Sequence, residues 1–117
     1  MITGLGSSLS ALDAFQTKLD KTAENLANIG TDGYKAKRVL LADNGNGGVA
    51  ARVERDQEKG PVALEVTGGK ETAVEKSNVN LASEMTDLLA TKTAFKANLK
   101  ALEAADELVG ALLDIKK

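Results

Sequence analysis

The sequence predicts a mainly α chain: two long terminal amphipathic helices packed antiparallel as a coiled-coil-like hairpin, with a small central β-hairpin. Three observations predict it. Leu5, Leu12, Leu19 and Leu26 stand at sevenfold spacing near the amino end. Leu81, Leu88, Phe95, Leu102 and Val109 repeat that spacing towards the carboxyl end. Between them lie short apolar runs interrupted by glycine.

The first helix is expected over about residues 7–29, with Ser7 or Ser8 capping its exposed N–H groups. Leu9, Phe15, Ala23 and Ile29 widen its apolar stripe. Gly30 suits a left-handed C-terminal cap, and Thr31-Asp32-Gly33 reads as a turn. Arg38 to Leu41 and Val49 to Arg55 read as two strands joined through Asp43-Asn44-Gly45-Asn46-Gly47-Gly48. Gly60-Pro61 breaks the chain, and Val62 to Val66 forms a third short strand or an extended arm. Thr67 to Lys76 is polar and reads as a loop. The second helix is expected over about residues 80–113, started by Asn80, with Met85, Leu99 and Leu113 broadening its stripe. The chain is thus one domain: residues 1–35 a helix and turn, 36–76 a β-rich centre, 77–117 a helix.

Composition narrows the function. Of 117 residues 43% are hydrophobic, but much of that is alanine, and the aromatics are Phe15, Tyr34 and Phe95. Alanine and leucine at helical spacing suit narrow helix–helix seams better than a bulky core. The 15 basic and 17 acidic residues are interspersed, for a net charge of −2. That leaves no basic field for nucleic acid and no polybasic anchor for anionic lipid. Histidine and cysteine are absent. The commonest general base, the thiol nucleophile and the usual zinc ligands are therefore missing, and no catalysis, cofactor, metal or small-molecule substrate is expected. No apolar run reaches the roughly 20 residues of a membrane-spanning helix. Met1 to Gly6 lacks the charged start and apolar stretch of a cleavable signal peptide, so export would use another route.

The remaining motifs read as structure. Asp106-Glu107 are helix neighbours facing different directions, which favours a solvated face. The glycine-rich turn after Asp43 precedes a strand and lacks a following Lys-Ser or Lys-Thr pair, which argues against a phosphate loop. Asp43 with Asn44 and Asn46 resembles a calcium loop only faintly, and a plain hairpin turn fits better. Asn25 and Asn28 cap the end of the first helix, or hydrogen-bond across helix seams and fix register. Asn98 is a tolerated polar position or a second register residue.

Ala23 to Lys35, with Asn25, Asn28, Gly33 and Tyr34, resembles the amino-terminal signature of bacterial flagellar axial proteins. Ser77 to Leu81 with Asn78, Glu84-Met85, Ala94-Phe95, Ala97-Asn98 and Ala105-Asp106-Glu107 resemble the carboxy-terminal signature of the same rod and hook proteins. The pattern departs from the family at Glu24, Lys92-Thr93, Lys96 and Ala104. The short centre looks most like the small proximal rod proteins of FlgB or FlgC type, with a short paralogue of the distal rod protein as the alternative. The resemblance implies a structural subunit of the basal-body rod, the shaft that carries torque from motor to hook. It implies export through the flagellar type III apparatus, a periplasmic location, self-association, and partnership with other rod and axial proteins. The seam residues Leu5, Leu12, Phe15, Leu19, Leu26, Ile29, Leu81, Met85, Leu88, Phe95, Leu99, Leu102, Val109 and Leu113 would then serve assembly. Asn25, Asn28, Gly33, Tyr34, Asn78, Asn98 and Asp106 would serve register. The competing reading is a small helical adaptor or export chaperone that binds axial proteins without entering the filament.

Overall fold

The computed structural model describes residues 2–115. Helix α1 spans Ile2–Ala27 and α2 spans Leu81–Asp114. Between them come β1 (Lys37–Asp43), β2 (Val49–Arg55), β3 (Val62–Thr67) and β4 (Lys70–Glu75).

Helix α2 starts where the sequence predicts: the Asn80 side chain accepts from Ser83 N at 3.1 Å, and Glu84 sits in the first turn. Helix α1 does not. It begins at Ile2, and Ser7 and Ser8 lie inside it. The reason is tertiary. The tip of the β1–β2 hairpin docks there, with Ser7 Oγ at Gly47 O and Val49 N donating to Ser10 Oγ at 3.0 Å. The other end is also displaced. The left-handed residue is Gly33 (φ +68°), not Gly30, and α1 closes through bonds from Asn28 N to Glu24 O and Thr31 N to Asn28 O.

The centre holds two hairpins where the sequence predicts one. Strands β1 and β2 pair from Lys37↔Arg55 to Asp43↔Val49. Strand β3 pairs with β4, a segment that reads as a loop, from Val62↔Glu75 to Thr67↔Lys70. Gly68 and Gly69, both at positive φ, supply the two-residue turn that a tight right-twisted hairpin needs. Polarity hid β4: Lys70, Glu71, Thr72 and Glu75 leave little apolar alternation to read.

The first hairpin lies on α1, with Val49 and Ala51 turned inward over the buried Ala14 and Val39 half-buried nearer Thr22. The second makes no close contact with either helix or with β1–β2. The helices lie side by side and run in opposite directions over their overlap. Asn98 Nδ2 donates to Ser8 O at 2.7 Å, and Lys18 Nζ lies 3.9 Å from Asp87 Oδ1. Only six residues separate Ser8 from the start of α1, so roughly the last ten residues of α2 extend beyond it.

The molecule measures 83 × 24 × 18 Å, with a radius of gyration of 20.9 Å. A compact chain of this length has a radius near 13 Å. Among the described residues, the buried hydrophobic ones are Ala14 and Ala36 alone.

Candidate functional site

Two regions stand out: a polar clamp where the turn after α1 meets the start of α2, and a helix whose outer faces are apolar and uncovered.

The clamp is built on asparagines. Asn25, in the last turns of α1, is 1% exposed. Its Nδ2 donates to Lys37 O at 2.8 Å, and its Oδ1 accepts from Lys37 N at 2.8 Å and Tyr34 OH at 3.1 Å. A side-chain amide reproduces the donor–acceptor pair of a neighbouring strand, so Asn25 serves β1 as a one-residue edge partner. Asn78 holds the same segment from the other side. Its Oδ1 accepts from Ala36 N at 2.7 Å, its Nδ2 donates to Glu58 O at 2.9 Å, and its backbone N donates to Tyr34 O at 3.2 Å. Residues 34–37 are thereby fixed to α1 and to the entry of α2 together.

Charges close the periphery. Glu24 accepts from Lys21 at 2.8 Å and from Lys37, and these hydrogen bonds pull its carboxyl down to about 2. The family departure at Glu24 thus has a local partner set. Glu75 accepts from Lys35 Nζ and Gly60 N, which lowers it as well. Asp56 is lowered by the Glu58 N–H and then by the Arg38 guanidinium. Lys76 is raised by Asp32 and Glu65. Glu84 goes the other way: burial raises it, against contact with the Asn25 amide. Gly60 is required for close approach, because a Cβ there would lie 2.0 Å from Lys76 O.

The structure brings Asn25, Gly33, Tyr34 and Asn78 into this clamp; Gly33 N donates to Glu75 O at 2.8 Å. Asn28 caps instead, donating to Glu24 O and accepting from the Thr31 hydroxyl. Asn98 alone crosses the helix seam. Asp106 is exposed and far along α2. Of the predicted seam, Leu5, Leu12, Phe15, Leu19 and Leu26 on α1 and Leu88, Phe95, Leu102 and Val109 on α2 are half-buried. Ile29, Leu81, Met85, Leu99 and Leu113 are exposed. The inner stripe of α2 follows 3–4 spacing through Leu88, Thr91, Phe95, Asn98, Leu102, Ala105 and Val109. Sequence reasoning missed Thr91, which is buried mid-seam, and the exposed Leu89, Leu108, Leu112 and Ile115. Those four lie off the sevenfold leucine ladder, and only their apolar character hinted at them.

A cleft of about 230 Å³ opens between α1, β1 and the start of α2. Lys18, Lys21, Lys37 and Arg38 line it with Asp56, Glu84 and Asp87, so opposite charges largely neutralise each other. Among the described residues, no group of three His, Cys, Asp or Glu is placed to hold a metal ion, and no helix is long and apolar enough to cross a membrane.

Comparison with known proteins matches both ends. The family model described as flagella basal body rod protein covers residues 5–35. The model described as flagellar basal body rod FlgEFG protein C-terminal covers residues 70–115. Over 43 residues the chain is 44% identical to the flagellar basal-body rod protein FlgG of Bacillus subtilis (strain 168). That stretch is 37% of this chain and 16% of the relative, so the chain spans a minor part of that protein's length. The carboxy-terminal model is named for FlgE, FlgF and FlgG together, and the relative is a FlgG.

Proposed function

This chain belongs to the flagellar basal-body rod protein family, and on that premise we propose that it is a structural subunit that polymerises through its helices into the torque-transmitting rod. It is not an enzyme on this reading. Its partners are further copies and other rod and axial proteins, and it reaches them through the flagellar type III export apparatus.

The observation that carries the proposal is the surface the chain leaves uncovered. Leu108, Leu112, Leu113 and Ile115 are 54–80% exposed on the end of α2 that extends past α1. A compact monomer of this mass exposes about 6,100 Å². This chain exposes 8202 Å². A standard interface takes about 800 Å² from each partner, so the excess suffices for at least two neighbours. A subunit of a continuous shaft needs that many.

The test is complementation. A Leu108→Asp, Leu112→Asp variant is expressed in cells lacking the native protein. Both positions face solvent in the single chain, so the circular dichroism of the isolated protein should match the parent. The variant is expected to reach the export apparatus and be secreted, yet leave cells non-motile. Full motility would overturn the assembly role of this surface. Lost secretion with a normal fold would favour the adaptor reading.

A further inference from the structure

Strands β3 and β4 form the least supported part of the molecule and its most exposed apolar feature. Val62, Leu64 and Val66 alternate along β3 and are 64%, 72% and 70% exposed. They lie on one face of the ribbon, because alternate residues of a strand share a face. Opposite them on β4 stand Glu75, Ala73 and Glu71. The face is therefore an apolar stripe about 13 Å long with a carboxylate at each end. Glu75 is engaged by Lys35, whereas Glu71 makes no ion pair among the described residues. Among the described residues nothing covers this stripe, since the hairpin touches neither helix.

Helix α2 carries a surface of matching length. Leu81, Met85 and Leu89 are 55%, 44% and 62% exposed and recur every fourth residue, spanning about 12 Å. On one side they are bordered by Ala82, Thr86 and Ala90, which are small and uncharged, and on the other by the half-buried Glu84 and Leu88. Lys92 and Lys96 follow on the same stripe, exposed and without an ion pair among the described residues.

We propose that the β3–β4 hairpin of one copy seats on this α2 stripe of a second copy, with Val62, Leu64 and Val66 against Leu81, Met85 and Leu89, and Glu71 against Lys92. The proposal rests on the rod-subunit reading and names one contact within it. Charge selects this occupant. The exposed apolar end of α2 is bordered by Glu103, Asp106, Glu107 and Asp114, which would confront Glu71 with like charge. Two hairpins face to face would oppose carboxylates at both ends of the stripe. The Lys92–Lys96 side places complementary charge at the end of an equal apolar length.

The absence of native cysteine makes a direct test available. Full-length Leu64→Cys and Met85→Cys variants are mixed under mild oxidation and compared with a Leu64→Cys and Leu108→Cys mixture. The first mixture is expected to give about tenfold more disulfide-linked heterodimer, in keeping with a specific docked pair. Glu71→Lys should weaken self-association in sedimentation, and Glu71→Lys with Lys92→Glu should restore it. Equal cross-linking in the two mixtures, or a double variant no better than the single one, would overturn the contact. If it fails while the parent chain still associates and restores motility, the hairpin seat is wrong and the rod-subunit reading stands. If the parent neither associates nor restores motility, the rod-subunit reading itself fails.

Discussion

The two ends of α2 are held by different physics. At its start, backbone groups of residues 33–37, 58 and 75–78 are tied together by Asn25, Asn78, Gly33 and Gly60, with ion pairs around them. At its far end the helix has intrahelical bonds and exposed leucines, with α1 no longer beside it. The clamp end supplies its own partners. The far end has the hydrophobic content of a core without the second layer that would make it one. The difference teaches that a chain can fix a geometry with polar closure in one region and leave another to be completed by a neighbour.

Removing Asn25 should break that contrast most severely. Asn25→Ala leaves the Lys37 N–H and C=O and the Tyr34 hydroxyl without their partner in a buried place. The expected loss is about 3 kcal/mol or more, a large part of what a domain of this size has. A urea titration checks it; a midpoint close to the parent's would mean that the clamp is not what holds the centre. Gly60→Ala comes next. Its Cβ cannot coexist with Lys76 O, and the backbone must separate at a cost of about 2 kcal/mol. Thermal unfolding reads this directly, and an unchanged midpoint would show that the segments around Gly60 and Lys76 part easily.

Acid should loosen the clamp end first. Glu24, Asp56 and Glu75 have folded values below their ordinary ones. Their contribution is complete above the ordinary carboxylate range and is lost as pH falls through the folded values. For Glu24 the window runs from near 4.5 down to about 2. Glu84, held high by burial, contributes in the opposite sense: its share is complete below the ordinary range and fades as pH rises. Three depressed groups against one raised group give net destabilisation in acid. Tyr34 is the sole tyrosine in a chain without tryptophan and sits inside the clamp, so its emission reports on that region alone. Tyrosine emission should change at a higher pH than helical circular dichroism, and coincident transitions would contradict the ordering.

Smaller effects are expected along the helices. Asn98→Leu removes a bond to a Ser8 carbonyl that the helix already serves, so stability should move by less than about 1 kcal/mol. What it should lose is uniqueness of register, visible as broadened backbone resonances in α2. Sharp resonances with a single chemical shift per residue would remove the register role. Gly110→Ala is the mildest. A Cβ there meets nothing within 4 Å. Local helix propensity should rise by about 1 kcal/mol. Hydrogen exchange over residues 105–115 should slow while the global unfolding midpoint stays in place, because that segment does not take part in the cooperative unit. A shifted global midpoint would show that the far end is coupled to the rest after all.

The same contrast separates what was legible from what was not. Both helices were legible because apolar residues recurring at helical spacing depend on near neighbours in sequence. The first hairpin was legible through its glycine–asparagine turn. The second was not, since Lys70 to Glu75 pairs with β3 through backbone groups and no side-chain alternation records it. The clamp asparagines were named from a family pattern, yet capping and register both fit their position. Only the fold showed that Asn25 grips a segment twelve residues away, Asn28 caps, and Asn98 crosses the seam.

By itself the sequence determined the helices, the first hairpin and the absence of histidine and cysteine chemistry, because periodicity and composition are properties of the chain. Tertiary structure alone decided that Ser7 and Ser8 lie inside α1, that Gly60 admits no side chain, and that Leu81, Met85 and Leu113 face outward while Leu88 and Phe95 face α1. A sevenfold ladder names a stripe on a helix. Which part of that stripe is covered depends on where the partner helix starts and stops, and that is set by contacts between residues far apart in the chain.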